Sequence, residues 1–117
     1  MARATRCRLI CAEPECSVFV PRTEKDGGEV ALTLDEYEAI RLADYENRTH
    51  QQCAVQMEIS RTTVTEIYES ARFKIADCLV NGKTLVIAGG NYRVCRGDRK
   101  GDCGQSCRWA PEKESGE

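Results

Sequence analysis

Cysteines are the most chemically distinctive residues of this 117-residue chain, which contains eight of them. Six form two clusters near the ends of the chain: Cys7, Cys11 and Cys16, then Cys95, Cys103 and Cys107. A structural zinc site needs four thiolates or imidazoles in a tetrahedral arrangement, and the spacings here permit one without being specific for it. Thiolates also suit an iron–sulfur cluster or reversible oxidation. If the two ends meet, two ligands from each cluster would make one site and leave two thiols over; zinc, an iron–sulfur cluster, reversible thiol oxidation and the absence of a stable metal all stay open for this site.

A second group of side chains has the chemistry to bind DNA. Bases are contacted by polar side chains at the start of a helix in the major groove, and phosphates by the positive N-terminal end of the preceding helix. The predicted base contacts are Arg61, Thr62, Thr65, Glu66 and Glu69. The predicted phosphate contacts are Arg48, Thr49, His50, Gln51 and Arg72. His50 is interpreted as a phosphate-side residue, not as a metal ligand or a catalytic base.

Two consecutive helices must position these residues. Thr49 is a favourable N-cap, and Gln52 three residues later completes a capping box, so a short helix begins there. Ser60 is a second N-cap, and apolar residues then recur every three or four positions until Asn81 and Gly82, which are typical of a helix end. At roughly 1.5 Å per residue, the second helix is about 30 Å long. A capped helix, a three-residue turn and a long helix together predict a helix-turn-helix.

A third helix is predicted upstream, with Thr33 as its N-cap and Glu36 as the capping-box partner. The side predicted to be buried comprises Ala39, Ile40, Leu42 and Ala43. The side predicted to face solvent comprises Glu36, Glu38, Arg41 and Asp44. In the other two helices, Cys53 and Cys78 fall on apolar sides, and we interpret them as core residues because a free cysteine behaves as a small hydrophobe.

The remaining segments predict short strands. The apolar run at 17–21 ends in proline, which is typical of an edge strand, and the runs at 85–88 and 92–94 predict a strand or hairpin after the long helix. The expected fold is mainly α: a three-helix helix-turn-helix domain with a long recognition helix, supplemented by short β strands from the N-terminal and post-helix segments. The predicted divisions are a cysteine-rich arm with a short strand (1–31), the helix-turn-helix domain (32–82), a β strand or hairpin (83–94) and a cysteine-rich, partly disordered tail (95–117).

The second half of the long helix is apolar on two sides. Phe73, Ala76 and Val80 lie opposite Ile75 and Cys78. A helix that is hydrophobic all round is buried on both sides. We therefore expect the strands, the termini or a partner subunit to cover Phe73 and Val80.

Bulk composition narrows the class of protein. The net charge is −2 and the pI is about 5.5, which disfavours a nonspecific nucleic-acid coat. Residues 93–108 nevertheless carry five bases against two acids, whereas residues 31–60 carry six acids against two bases. No segment approaches the roughly 20 apolar residues of a membrane span, so a cytoplasmic protein is expected. No base, nucleophile and orienting group occur at a suitable spacing, so an enzyme is not expected.

The sequence resembles a family of small prokaryotic proteins of uncharacterised function, predicted to bind DNA, whose helix-turn-helix is similar to sigma factor region four. The resemblance covers about two thirds of the chain and rests on LTLDEYEAIRLAD at 32–44, QMEISRTTVTEIYESAR at 56–72 and KIADCLVNGKTLVIAGGNY at 74–92. It implies a winged or strand-supplemented helical domain with a regulatory role, in which Ser60 and Arg61 open the recognition helix. The chain departs from the family pattern at Glu58, where glycine is frequent, and in the acidic Glu66 and Glu69.

Two functions from different classes are compatible with these features. The first is a sequence-specific DNA-binding transcriptional regulator that responds to metal or redox state through its terminal cysteines. It would bind double-stranded DNA as a homodimer, with two recognition helices roughly 34 Å apart, and contact a protein of the transcription apparatus. The alternative is an accessory protein that handles a metal or an iron–sulfur cluster and uses the helical domain for protein contacts. Neither function involves a membrane.

Overall fold

The computed structural model describes residues 8–95. Within this range the helices are α1 (Leu34–Ile40), α2 (His50–Met57) and α3 (Arg61–Asn81). The strands are β1 (Arg8–Ile10), β2 (Val18–Phe19), β3 (Glu29–Leu32), β4 (Thr84–Ile87) and β5 (Tyr92–Val94). The expectation of a mainly α fold with short strands is confirmed for this part of the chain. In the described part, no helix has the length and apolar character needed to cross a membrane.

Each helix begins at the residue that the sequence predicts. The capping boxes of α1 and α2 are complete. At each start, the threonine side chain (Thr33 or Thr49) accepts a hydrogen bond from the backbone N–H three residues later. In return, the side chain of that later residue (Glu36 or Gln52) accepts from the threonine backbone N–H at 2.9 Å. Ser60 caps α3 by accepting from the N–H of Thr63 at 3.1 Å. The helix starts are therefore determined by local hydrogen bonds.

The end of α3 also agrees with the prediction. Gly82 follows the last helical residue with φ 64° and ψ 44°, and its N–H donates to the carbonyl oxygen of Cys78. Glycine adopts this left-handed conformation without a steric penalty, so it can end the helix and turn the chain towards β4.

Burial of the polar side of α1 was predicted wrongly. Asp44 is exposed as expected, but Glu36, Glu38 and Arg41 are buried. The reason is that α1 packs against both β1 and α3, so that it has little solvent-facing surface. Arg41 donates to both carboxylate oxygens of Glu38 at 2.9 Å, and Glu38 also accepts from the backbone N–H of Cys11 at 3.0 Å. A buried ion pair becomes tolerable when such additional hydrogen bonds satisfy it.

The backbone is irregular directly after α1. The backbone widens into a π-helical turn over Arg41–Tyr45, and Asn47 then adopts φ 60°. The N–H of Arg48 donates to the carbonyl oxygen of Leu42 at 2.8 Å and closes this connection. The connection ends at Thr49, the N-cap of α2.

The strands form two small sheets that join distant parts of the sequence. Strand β1 pairs with β5 in parallel, and β4 lies between β2, which is antiparallel to it, and β3, which is parallel to it. Strands β4 and β5 therefore follow each other in the chain but belong to different sheets. Segments from before α1 and after α3 meet in both sheets, which brings the two ends of the described chain together.

Two clusters of buried apolar residues lie along the inner side of α3. The sheet-side cluster comprises Ile10, Leu32, Leu34, Ala71 and Ile87. The turn-side cluster comprises Leu42, Cys53, Ala54, Met57 and Val64. The core interpretation of Cys53 is confirmed, and Cys78 is half-buried. Each half of α3 is thus attached to one cluster, and the whole helix is supported from one side.

Candidate nucleic-acid interface

The turn between α2 and α3 determines how α3 is presented. Glu58 adopts φ 61° and ψ 44°, the left-handed conformation that glycine favours, and its N–H caps α2 by donating to the carbonyl oxygens of Ala54 and Val55. Its carboxylate forms an ion pair with Arg93 of β5. The turn is therefore linked to the β1–β5 sheet, whereas the left-handed backbone at Glu58 carries a strain that a glycine would relieve.

The N-terminal half of α3 (residues 61–70) exposes a polar surface. Of the five predicted base contacts, Arg61, Thr62, Glu66 and Glu69 are exposed. Thr62, Glu66 and Glu69 are spaced by four and three residues and therefore lie on one side of the helix. The inner side of the same half is occupied by Val64 and Ile67, both of which are buried. Core packing therefore places no constraint on the identity of these polar side chains.

Thr65 is the predicted base contact with a different environment. It is half-buried, and its hydroxyl oxygen lies 2.9 Å from Nδ1 of His50 on α2. The His50 ring also packs edge-on against the Tyr68 ring, with 5.0 Å between their centres. The pair fixes the start of α2 to the second turn of α3, so the structure gives both side chains a positioning role within the protein.

Tyr68 and Asp44 extend this contact into a small network that the sequence interpretation missed. The Tyr68 hydroxyl donates to Asp44 at 2.7 Å, and this hydrogen bond, together with partial burial, raises the pKa of Tyr68. Arg72 lies 5.4 Å over the Tyr68 ring and 3.8 Å from Asp44. The spacing of Thr65, Tyr68 and Arg72 by three and four residues was the available signal, because such residues share a helix side.

The start of α2 is partly accessible. Thr49 and Gln51 are exposed, whereas His50 and Arg48 are half-buried. Arg48 is close enough to Cys53 for its charge to act on that thiol, although burial dominates and raises the pKa of Cys53 to about 11. At neutral pH the Cys53 thiol is therefore protonated. Gln51, Arg61 and Arg72 are all exposed, and Arg72 shares its charge with Asp44.

Comparison with known proteins identifies the family. A family model described as "Protein of unknown function DUF134" matches residues 1–95. The chain belongs to the DUF134 family. A UPF0251 protein of Desulfitobacterium hafniense strain Y51 is 48% identical over 109 residues, which are 92% of this chain and 86% of the relative.

Other members of the family come from bacteria and archaea. A UPF0251 protein of Thermoanaerobacter pseudethanolicus is 45% identical over 112 residues, covering 92% of this chain and 93% of the relative. One from Methanococcus maripaludis is 42% identical over 108 residues, covering 87% and 81%. No solved structure matches this chain. The family match includes all the described residues, so the α2–α3 pair and the β1–β5 sheet both lie within the DUF134 region.

The sheets of this DUF134 chain bring two of the six candidate metal ligands together. The pairing of Ile10 with Val94 continues as a hydrogen bond from the N–H of Cys95 to the carbonyl oxygen of Ile10, so Cys11 and Cys95 follow paired positions of parallel strands. Both cysteines are buried, whereas Cys16 is exposed and its thiol donates to the carbonyl oxygen of Val18. Cys7, Cys103 and Cys107 lie outside the described residues, and within 8–95 no group of three or more metal-ligating side chains occurs.

The buried ion pair between Glu38 of α1 and Arg41 lies next to Cys11. Glu38 accepts the Cys11 backbone N–H, and its carboxylate in turn holds Arg41. Burial opposes the charge on Arg41, but the hydrogen bonds and the negative charge of Glu38 outweigh it and raise the Arg41 pKa. Arg41 therefore remains a fixed positive charge whose counter-ion is the Glu38 carboxylate.

Proposed function

We propose that this protein is a sequence-specific DNA-binding transcriptional regulator in which α2, the turn at Glu58 and α3 act as a helix-turn-helix. The observation that carries the proposal is the exposed polar surface of the N-terminal half of α3, next to the capped start of α2. This is the arrangement that a helix entering the major groove and a helix end facing a phosphate require. The family match relates this chain to other proteins of the DUF134 family but names no activity for any of them.

The proposal assigns different tasks to the side chains. Arg61, Thr62 and Glu66 contact bases, because they are exposed on the first two turns of α3. Gln51 and the first free N–H groups of α2 contact a phosphate. Thr65 and His50 hold the two helices together, so their effect on DNA binding is exerted through the position of α3.

The test begins with an unbiased selection of duplex oligonucleotides by the full chain. Arg61→Ala is then measured on the selected duplex and on random DNA. We expect a loss of about 1–3 kcal/mol on the selected duplex, or roughly 5-fold to 150-fold, and a smaller loss on random DNA, because a bidentate contact with guanine is sequence-specific.

Two further variants act as controls for this measurement. Gln51→Ala should weaken the selected and random duplexes by the same factor, because a phosphate contact carries no sequence information. Arg22→Ala removes the same charge as Arg61→Ala from an exposed loop that is remote in sequence from α3, and it should leave the preference unchanged. A selection that yields no preferred sequence, or an equal loss for Arg61→Ala on both duplexes, would refute the proposal.

A metal- or redox-responsive role is the second candidate, and the proximity of Cys11 and Cys95 favours it. These two residues would supply two thiolate ligands to zinc or to an iron–sulfur cluster, and Cys7, Cys16, Cys103 and Cys107 are the candidates for the others. In the regulator, such a group would staple β1 to β5 beneath the turn at Glu58. In the alternative, the protein is an accessory protein that handles the metal or cluster and contacts another protein through its helices.

Metal content decides between these roles when it is measured together with DNA binding. Anaerobically purified protein is analysed for zinc and iron and by absorption spectroscopy. Cys11→Ser and Cys95→Ser should each remove the metal, whereas Cys78→Ser, which alters a half-buried core thiol, should retain it. A metal-loaded protein with no sequence preference on DNA supports the accessory role, and full metal content in both ligand variants excludes this pair as ligands.

A further inference from the structure

The paired ends of β1 and β5 place two cysteines next to each other. Ile10 pairs with Val94 in the parallel register, so the next residues along the two strands are Cys11 and Cys95. These cysteines are 84 positions apart in the chain. Only the pairing of the strands brings them together, and their proximity is therefore a property of the folded domain.

One peptide group fixes the backbone of both cysteines. Its carbonyl oxygen, that of Ile10, accepts from the N–H of Cys95 at 2.8 Å. Its N–H, that of Cys11, donates to the carboxylate of Glu38 at 3.0 Å. The C=O and N–H of a planar trans peptide point in opposite directions, so β5 and α1 hold this group from its two sides. The relative position of the two cysteines is thus set by the fold.

Paired positions of neighbouring strands meet the geometric requirements of a disulfide. Neighbouring strands lie roughly 4.8 Å apart. Disulfides join residues whose Cα atoms are about 4.4–6.8 Å apart. Side chains alternate between the two faces of a sheet, so side chains at paired positions extend from the same face. A bond between the sulfur atoms of Cys11 and Cys95 therefore needs no change in the register of the strands.

Burial and position distinguish this pair from the other described cysteines. Cys11 and Cys95 are each only 3% exposed, which favours a reaction within one chain over a reaction between chains and restricts the oxidant to a small molecule. Cys16 is exposed, Cys53 is buried in the turn-side cluster and Cys78 is half-buried. None of these three lies at a paired position of two strands.

We propose that Cys11 and Cys95 are an oxidation site at which a hydroperoxide produces an intramolecular disulfide. Each thiol loses one proton and one electron as the S–S bond forms. The O–O bond of hydrogen peroxide breaks, takes up both protons and both electrons, and gives two molecules of water. A dithiol reductant reverses the reaction by thiol–disulfide exchange and is itself converted into a cyclic disulfide.

The disulfide closes a covalent loop around the domain. All three helices lie between the two cysteines in the chain, and a cross-link over so many residues strongly restricts the unfolded chain. The loop closes two residues after Arg93, which pairs with Glu58 in the turn between α2 and α3. Oxidation therefore fastens the sheet to which this turn is linked. The inference gives the redox-responsive role a defined reaction, and it does not depend on DNA binding.

Peptide mapping of the full chain after treatment with hydrogen peroxide tests the inference. One equivalent of peroxide is added to reduced protein, the remaining thiols are alkylated and the chain is digested. Cleavage after Arg8, Glu15 and Arg93 places Cys11 and Cys95 on separate peptides. We expect a disulfide-linked pair of peptides that carries these two cysteines, a loss of two thiols per chain, and recovery of both thiols with dithiothreitol.

The same treatment of the chain unfolded in guanidinium chloride is the control for geometry. The yield of the link between Cys11 and Cys95 should be at least about 10-fold lower there, because closure of a long loop is entropically unfavourable and cysteines close in sequence compete. Equal yields from folded and unfolded protein would overturn the inference. Folded protein that loses thiols without forming this link would overturn it too.

Variants and thermal unfolding test whether the link forms in the folded arrangement. Cys11→Ser and Cys95→Ser should each abolish the loss of two thiols, whereas Cys78→Ser, which alters a half-buried thiol elsewhere, should keep it. Oxidation should raise the Tm of the wild type by at least about 5 °C and leave the Tm of Cys11→Ser unchanged. An oxidised wild type that melts below the reduced protein would show that the cysteines must leave their folded positions, and would overturn the inference.

The outcome is separable from that of the proposed functions. A sulfur atom in a disulfide is no longer available as a thiolate ligand. Protein that contains zinc or iron, and in which Cys11 and Cys95 resist peroxide, would refute the disulfide and retain the metal role. Protein that forms the link but shows no DNA preference would retain the disulfide and refute the regulator.

Discussion

The two halves of α3 present opposite chemistry on the same side of one helix. Thr62, Glu66 and Glu69 expose polar groups in the first half, and Phe73 and Val80 expose apolar groups in the second. The spacing between these residues remains four and three throughout, so the change is one of composition and not of orientation.

The inner side of α3 shows no such change. Val64, Ile67 and Ala71 are buried along it, and each half is attached to a cluster of apolar residues. The inner side of α3 therefore supplies the helix's contribution to the apolar core. The composition of the outer side is not required by the core, and its two halves differ in polarity.

The largest expected effect is a difference in stability between a variant in the core beneath α3 and a variant on its exposed surface. Met57→Ala removes a side chain with no solvent exposure from the turn-side cluster and should lower the free energy of unfolding by about 2–5 kcal/mol. Leu79→Ala on the outer side should change it by less than about 0.5 kcal/mol. Denaturant unfolding measures both. A large loss for Leu79→Ala would mean that this residue is covered within one chain.

The next effect concerns Glu36, which ties α1 to the junction between the two halves. Its carboxylate accepts from Ser70 at 2.6 Å and from Lys74 at 2.8 Å. Burial opposes ionisation, but these hydrogen bonds and that from the Thr33 backbone outweigh it and lower the Glu36 pKa below 4.5. Allowing for solvent at the partly exposed Lys74, Glu36→Gln should cost about 1–2 kcal/mol at pH 7.

The pH dependence identifies the cause of this loss. Because the folded pKa lies below the unfolded one, the stabilisation is fully present above about pH 4.5 and disappears as the pH falls through the folded pKa. Wild-type and Glu36→Gln unfolding energies should therefore converge in acid. Glu66→Gln, at an exposed position of α3, should show the wild-type pH profile. A constant difference between wild type and Glu36→Gln at all pH values would contradict this assignment.

The smallest expected effect concerns the turn that presents the polar half. Glu58→Gly relieves a left-handed backbone but loses an exposed ion pair with Arg93, which is worth little. The net result should be a gain of up to about 1 kcal/mol in the free energy of unfolding. A loss of stability would show that the contact with β5 outweighs the backbone strain.

Much of the fold near the candidate interface could be predicted because its determinants are local. The caps at Thr33, Thr49 and Ser60 and the stop at Gly82 each depend on residues within four positions, so the starts of all three helices and the end of α3 follow from the sequence. The left-handed turn at Glu58 was recognisable from the glycine that is usual there. The exposure of Thr62 and Glu66 then followed from helical periodicity.

The candidate site was predicted less completely, because its remaining contacts join separate elements. The hydrogen bond between His50 and Thr65 spans α2 and α3, and Asp44 reaches Tyr68 from the π-helical turn. Neither pair has a sequence spacing that reveals it. Arg72 was predicted as a free phosphate contact, and only the fold shows that it shares its charge with Asp44.

The sequence by itself thus determined where the helices begin, where α3 ends and which side of α3 faces the core, because these properties arise from hydrogen bonds and periodicity over a few residues. The tertiary structure decided the burial of Glu38 and Arg41, the separation of β4 and β5 into two sheets and the proximity of Cys11 to Cys95. These properties depend on contacts between residues far apart in the chain, and such contacts are selected by the packing of the whole domain.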